Sequence, residues 1–135
     1  MNIQMKVIQP SEMRAEVDGA DWYWDRNGDL QVRICPMSDS RMEIALMLHE
    51  TFEALLCHHD KITQKQVDEF DRKYDNEHPN ETDCEAGDDP GAPYKVQHSL
   101  ATAVERIYTA HVGLDWRTYD DELNATYPGP SHKKE

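Results

Sequence analysis

The chain has 135 residues, enough for one modest hydrophobic core and too few for two ordinary ones. Asp and Glu number 27 against 14 Lys and Arg, a formal charge of −13. Such a surface repels phosphate backbones and anionic headgroups, so neither nucleic acid nor a membrane face is expected as a partner.

Hydrophobic residues make up 38% of the chain and fall into strand-like and helix-like segments, which argues against disorder. Cys35, Cys57 and Cys84 show no C-x-x-C spacing, and an odd count fits a reducing compartment better than a disulfide scaffold. The opening MNIQMKVIQP has no charged segment followed by an apolar one, so no signal peptide is read there. The longest apolar stretch, Ile44 to Leu48, is too short to span a bilayer. A cytoplasmic protein is expected, with one α+β domain over residues 1–127 and a flexible tail over 128–135.

In chain order, Ile3 to Ile8 alternate loosely and stop before Pro10, which predicts a first strand. Trp22 to Asp25, then Arg26-Asn27-Gly28-Asp29, then Leu30 to Cys35 read as a hairpin, the Asn-Gly pair supplying left-handed conformations for the turn. The period of two puts Leu30, Val32 and Ile34 on one face. A small, three-stranded, mainly antiparallel sheet is therefore expected, covered by a helix on its apolar side.

Asp39 or Ser40 can cap that helix, which runs from Met42 to about His59. Ile44, Ala45, Leu48, Phe52, Leu55 and Leu56 spread round more than half its circumference, so it is expected to be central. Thr63 to Gln66 forms a capping box for a second helix with Val67, Phe70 and Tyr74 inward. Asp75 to Gly91, acidic and containing Pro and Gly, reads as a loop and a possible site rim. From Pro93 to about Val112 a third helix is expected to bury Val96, Leu100, Ala103, Val104, Ile107 and Tyr108. Gly113 ends it, with Leu114 folding back. A short last helix carries Trp116, Tyr119 and Leu123.

The chemistry centres on Leu48-His49-Glu50-Thr51-Phe52-Glu53. Residues four apart on a helix share a face, so His49 and Glu53 can converge on one ion, and an imidazole nitrogen and a carboxylate oxygen are ordinary zinc ligands. Glu50 projects beside the pair, placed to take a proton from a water as general base. Apolar neighbours surround these groups, and an ion would offset the cost of burying a carboxylate. His98 is the candidate third ligand. Glu105, two turns further along the same predicted helix, is a candidate to orient an imidazole or to serve as a fourth ligand. His58, His59 and His111 suit helix C-termini instead. Cys57, one turn beyond Glu53, is a possible ligand or an inert core thiol. Trp22, Tyr23 and Trp24 either line a pocket or anchor the hairpin, and Asp68 and Asp71 read as the wet side of the second helix.

The order of hairpin strand, His-Glu-x-x-Glu helix and later polar helix resembles the zincin core. The resemblance implies His49 as first ligand, Glu50 as base, Leu30 to Cys35 as the edge strand that aligns a peptide, and zinc as cofactor. Glu53 stands where zincins usually carry a second histidine, which weakens the Lewis acidity available. The His-Glu-x-x-Glu-Ala-Leu helix, within a stretch from about Trp22 to Tyr119, is also similar to small bacteriophage and prophage proteins. Glu50-Thr51-Phe52-Glu53 with Asp68-Glu69-Phe70-Asp71 looks like a degraded form of the paired magnesium-binding motifs of all-α nucleotide pyrophosphohydrolases. The functional expectation is a zinc-dependent hydrolase acting on a peptide or protein substrate. The alternative is a non-catalytic adaptor whose acidic loop, Asp75 to Asp89, binds a basic protein.

Overall fold

A computed structural model describes residues 1–14, 19–79 and 85–127; Cys84 and the tail assigned to 128–135 lie outside them. The expected hairpin forms between β2 (Ala20–Trp24) and β3 (Leu30–Ile34). Its turn is not the tight two-residue type, because only Gly28, at φ 79°, is left-handed there. Asp25 does the rest: its Oδ1 accepts the amides of Asn27 at 2.8 Å and Asp29 at 3.0 Å, and its carbonyl accepts Gly28 N at 3.0 Å.

The first strand, β1 (Ile3–Val7), adds to the other side of β3 and runs parallel to it, giving the order β1-β3-β2. The sheet is thus mixed rather than mainly antiparallel. A hairpin forces its two strands to be antiparallel, whereas the longer connection leaving β1 imposes no such constraint. It also follows that β3 is the central strand and not the edge strand that the zincin resemblance implies.

Among the described residues four helices follow: α1 (Ser40–His59), α2 (Gln64–Glu77), α3 (Lys95–His111) and α4 (Trp116–Thr126). Asp39 caps α1 through the Arg41 amide. The Thr63–Gln66 capping box opens α2, which continues through Glu77, so Asp75 is helical and the loop begins later than expected. A 3-10 turn, Ala86–Asp88, shapes the described part of that loop. Pro93 lies just before α3. Gly113, at φ 71°, ends α3, and Leu114 folds back with its amide on Thr109 O at 2.9 Å. No helix among the described residues is long and apolar enough to cross a membrane.

Leu30, Val32 and Ile34 are fully buried, as their shared face requires. Among the described residues two apolar clusters form along α1. Met42, Ala45 and Leu46 join Ile34, Leu114 and Tyr119, while Ala54 and Cys57 join Trp22, Leu30, Val32, Val67 and Tyr94. His49 and Glu53 fall between the two. The expected inward residues are corrected in two places. Ile44 and Phe52 on α1 are exposed, as are Val96, Leu100, Ala103 and Ile107 on α3. In their stead α3 buries Gln97, His98, Ala101, Glu105 and Thr109. The helix has been turned by its polar residues, because those residues have partners inside.

Candidate metal centre

Helices α1 and α3 lie side by side and antiparallel. His49 meets Glu105, Glu53 meets His98, and at the two ends Gln97 bonds Asp60 and Arg41 bonds Val112 O. The i, i+4 spacing of α1 and the i, i+7 spacing of α3 are what bring these pairs to one level. All four central residues are between 5% and 7% exposed.

Glu53 is the hub. Its Oε2 lies 3.1 Å from His49 Nε2 and 2.8 Å from His98 Nδ1, and its Oε1 accepts Trp22 Nε1–H at 3.0 Å. The far nitrogen of each imidazole is also held by a carboxylate. His49 Nδ1 is 2.8 Å from Glu105 Oε1, and His98 Nε2 is 3.1 Å from Glu85 Oε2 and 3.4 Å from Asp88 Oδ1. Tyr119 donates its hydroxyl to the other oxygen of Glu105. The rings of His49 and His98 stand edge to face with centroids 4.8 Å apart.

Burial by itself would push Glu53 up, but hydrogen bonds and charge from the two imidazoles outweigh it and hold this carboxyl well below the usual range. The same contacts act in reverse on the rings. Burial lowers His49, yet Glu105 and Glu53 raise it well above an ordinary histidine. Burial likewise opposes Glu53 and Glu85 at His98, and the net result is about 10. Glu50 is half-buried at the margin of the cluster. Its carboxyl is pushed well above the normal range, first by burial and then by the charge of Glu53, with His49 pulling the other way.

Among the described residues, His49, Glu53 and His98 form a fully buried group whose ligand atoms lie within 4.8 Å of one another, a cluster capable of coordinating a metal ion. Donors around a tetrahedral zinc sit about 3.4 Å apart, given bonds near 2.1 Å. The 2.8 and 3.1 Å separations would need to open by about 0.3–0.6 Å. Glu105 stands outside this group, bonded to the opposite nitrogen of His49, which is the orienting position of a carboxylate behind a ligating imidazole.

A second group, Glu85, Asp88 and His98, shares the His98 ring but has two exposed members. Gly87 lies beneath that ring, and a Cβ there would be 2.5 Å from His98 Cγ. Glu85, Asp88 and Gly87 were legible only as an acidic, glycine-containing loop. Nothing in the spacing pointed to Trp22 or Tyr119 as partners of the two glutamates.

The remaining candidates separate cleanly. Cys57 is buried and its thiol is pushed up to about 12 by burial, so it is an inert core residue. His58, His59 and His111 sit exposed in the last turns of α1 and α3. Asp68 and Asp71 are half-buried and partnered rather than a simple wet face: Arg14 bridges Asp68 and Asp21, and Tyr94 donates to Asp71. Neither joins the ion-holding groups of the described residues, so the paired-carboxylate arrangement of a pyrophosphohydrolase is not assembled. No protein-family profile, curated protein or solved structure matches this chain.

Proposed function

We propose that the chain is a zinc-dependent hydrolase, zincin-like in using a His-Glu-x-x-Glu helix, with an amide or peptide bond as its substrate. One observation carries this reading: three buried donors converge from two helices, and each imidazole among them has its other nitrogen on a carboxylate. Two imidazoles and a carboxylate are a donor set that suits zinc, and three protein ligands leave a position open. His49 Nε2, Glu53 Oε2 and His98 Nδ1 would hold the ion, which supplies Lewis acidity and a water of lowered pKa.

The chain's own residues do the remaining work. Glu105, itself held by Tyr119, fixes the His49 ring, and the Glu85–Asp88 turn fixes His98. Trp22 holds the hub carboxylate from the sheet side. Glu50 borders the cluster without entering it and takes the proton as general base. The exposed rim is Glu85 and Asp88, so a basic or neutral substrate is favoured over a phosphorylated one. Those two acids face His98, which leaves the loop fewer groups for docking a basic adaptor partner.

The test is metal content of tag-free protein by elemental analysis, repeated on His49→Ala, Glu53→Ala and His98→Ala. Stoichiometric zinc, lost in all three variants, is the expected result. Wild-type protein that contains no metal and takes none up ends the proposal. Glu50→Gln should keep its metal and lose hydrolysis of a peptide library; retained turnover removes Glu50 from its role.

A further inference from the structure

We propose that the outer face of α3 pairs with the same face of a second copy of this chain, helix antiparallel to helix about a two-fold axis. The face consists of Val96, Leu100, Ala103, Ile107 and Ala110, all exposed, with Val96 at 65%, Leu100 at 51% and Ile107 at 70%. Their spacing is 4, 3, 4, 3. That is the 3.5-residue period of a seam between two helices rather than the broader stripe of a helix lying on a core. Nothing in the described fold covers it, because α3 turns its opposite, polar side to α1.

The seam is complementary to itself when reversed. Aligning Val96 with Ile107 of the second copy sets Leu100 against Ala103, so the two central layers each match a large residue to a small one and let the helices approach closely. The layers from Val96 to Ile107 span about 17 Å at 1.5 Å per residue. A seam of that length is short for a permanent association, so the pairing is reversible rather than obligate.

Charge selects the occupant. In a chain of net charge −13, the only acidic residue of α3 is Glu105, and it points inward to His49. Lys95 is tied back to Asp88 O, and Arg106 lies over the Trp116 ring at 4.1 Å. Two copies can thus bring these faces together without placing like charges in contact. A basic protein would find no counter-charge on the face; the net charge of each copy opposes their approach, so the pairing is weak and strengthens as salt screens that repulsion. His98 and Glu105 lie on the opposite side of the helix, so pairing leaves the candidate metal centre of each copy free.

Sedimentation equilibrium on the full chain is the test. Wild-type protein should move, with rising concentration, from the 15.7 kDa monomer to a species of twice that mass. Leu100→Asp and Ile107→Asp should each stay monomeric with an unchanged far-ultraviolet circular dichroism spectrum. A wild type that stays monomeric up to about 500 µM, approaching the millimolar range of the weakest affinities, overturns the proposal and leaves the face to a different protein. A dimer indifferent to both substitutions overturns it as well. Orientation is read from cysteine cross-linking under mild oxidation, with the wild type as background control. Val96→Cys combined with Ile107→Cys should give covalent dimers and Val96→Cys alone should not; efficient linkage by Val96→Cys alone would mean a parallel pair and refute the antiparallel one.

Discussion

Along α3 the residues that meet the rest of the fold are Gln97, His98, Ala101, Glu105 and Thr109, while those that meet solvent include Val96, Leu100, Ala103 and Ile107. The ordinary amphipathic rule is inverted. A buried polar atom without a partner costs a few kcal/mol, so the inversion is tolerable only because the inner face is fully partnered. His98 has Glu53 on one nitrogen and Glu85 on the other, and Glu105 has His49 on one oxygen and Tyr119 on the other. In this helix polarity follows available partners as much as it follows water.

Removing the hub of the inner face should do the most damage to the fold. Glu53→Ala leaves Trp22 Nε1 and one nitrogen of each imidazole without an acceptor, and deprives two buried rings of their shared counter-charge. The expected loss is about 3–5 kcal/mol of unfolding free energy. By contrast Leu100→Ser on the outer face should change it by less than about 0.5 kcal/mol. Urea titrations in chelator, at concentrations low enough to keep the chain monomeric, check both. Similar losses at the two positions would show that the inner network is not what holds α3.

Glu105→Leu comes next. It takes partners from His49 Nδ1 and the Tyr119 hydroxyl together, and should cost about 3 kcal/mol. Glu105→Gln keeps one acceptor and should recover part of that. If Leu and Gln prove equally tolerated, the carboxylate is not orienting the ring.

Gly87→Ala probes the margin of the site. The added Cβ meets the His98 ring at 2.5 Å, and that ring cannot yield without lengthening its bonds to Glu53 or Glu85. Overpacking of this kind should cost about 1–2 kcal/mol. It should also weaken zinc uptake, measured by competition with a chromogenic chelator, and unaltered uptake would show that the turn moves independently of the ring.

The sequence was most legible where local rules act alone. The Asp39 cap, the Thr63 capping box, the Gly113 terminator and the alternation of Leu30, Val32 and Ile34 are each set by a few neighbouring residues. The His49–Glu53 pair was legible for the same reason, being one helical turn. What brings His98 and Glu105 beside it is the rotation of α3, and hydrophobicity alone predicted the opposite rotation. Counting apolar residues assigns Val96, Leu100 and Ile107 to the core; only the distant partners on α1 reverse that. The parallel pairing of β1 was hidden likewise, since it depends on the path of a connection rather than on the strand's own residues. Asp71 is half-buried although α2 is polar along its length, because Tyr94, from a distant part of the chain, reaches it.

Asp71 therefore supplies the mildest and last test of how far the buried polarity extends beyond α3. Its carboxyl accepts the Tyr94 hydroxyl, and the Tyr94 ring stands edge to face with His98 at 6.1 Å. Burial, followed by the repulsion of Glu53 and Asp75 and only partly offset by the Tyr94 hydrogen bond, pushes Asp71 from 3.8 up to about 7. The folded chain then holds a proton here that the unfolded chain gives up, so between about pH 4 and 7 the native state binds more protons than the unfolded one. Linkage requires stability to fall as pH rises through that window. The contribution is fully present below the unfolded value, is lost on passing the folded value near 7, and is flat above it. Asp71→Asn keeps an oxygen to accept the Tyr94 hydroxyl but cannot ionise. The expected outcome is a urea midpoint that declines less between pH 5 and pH 8 in the variant than in the wild type, so that the variant is relatively more stable at the higher pH. Equal declines would place Asp71 in water after all, and would confine the buried polar network to the faces of α1 and α3 and the turn that caps them.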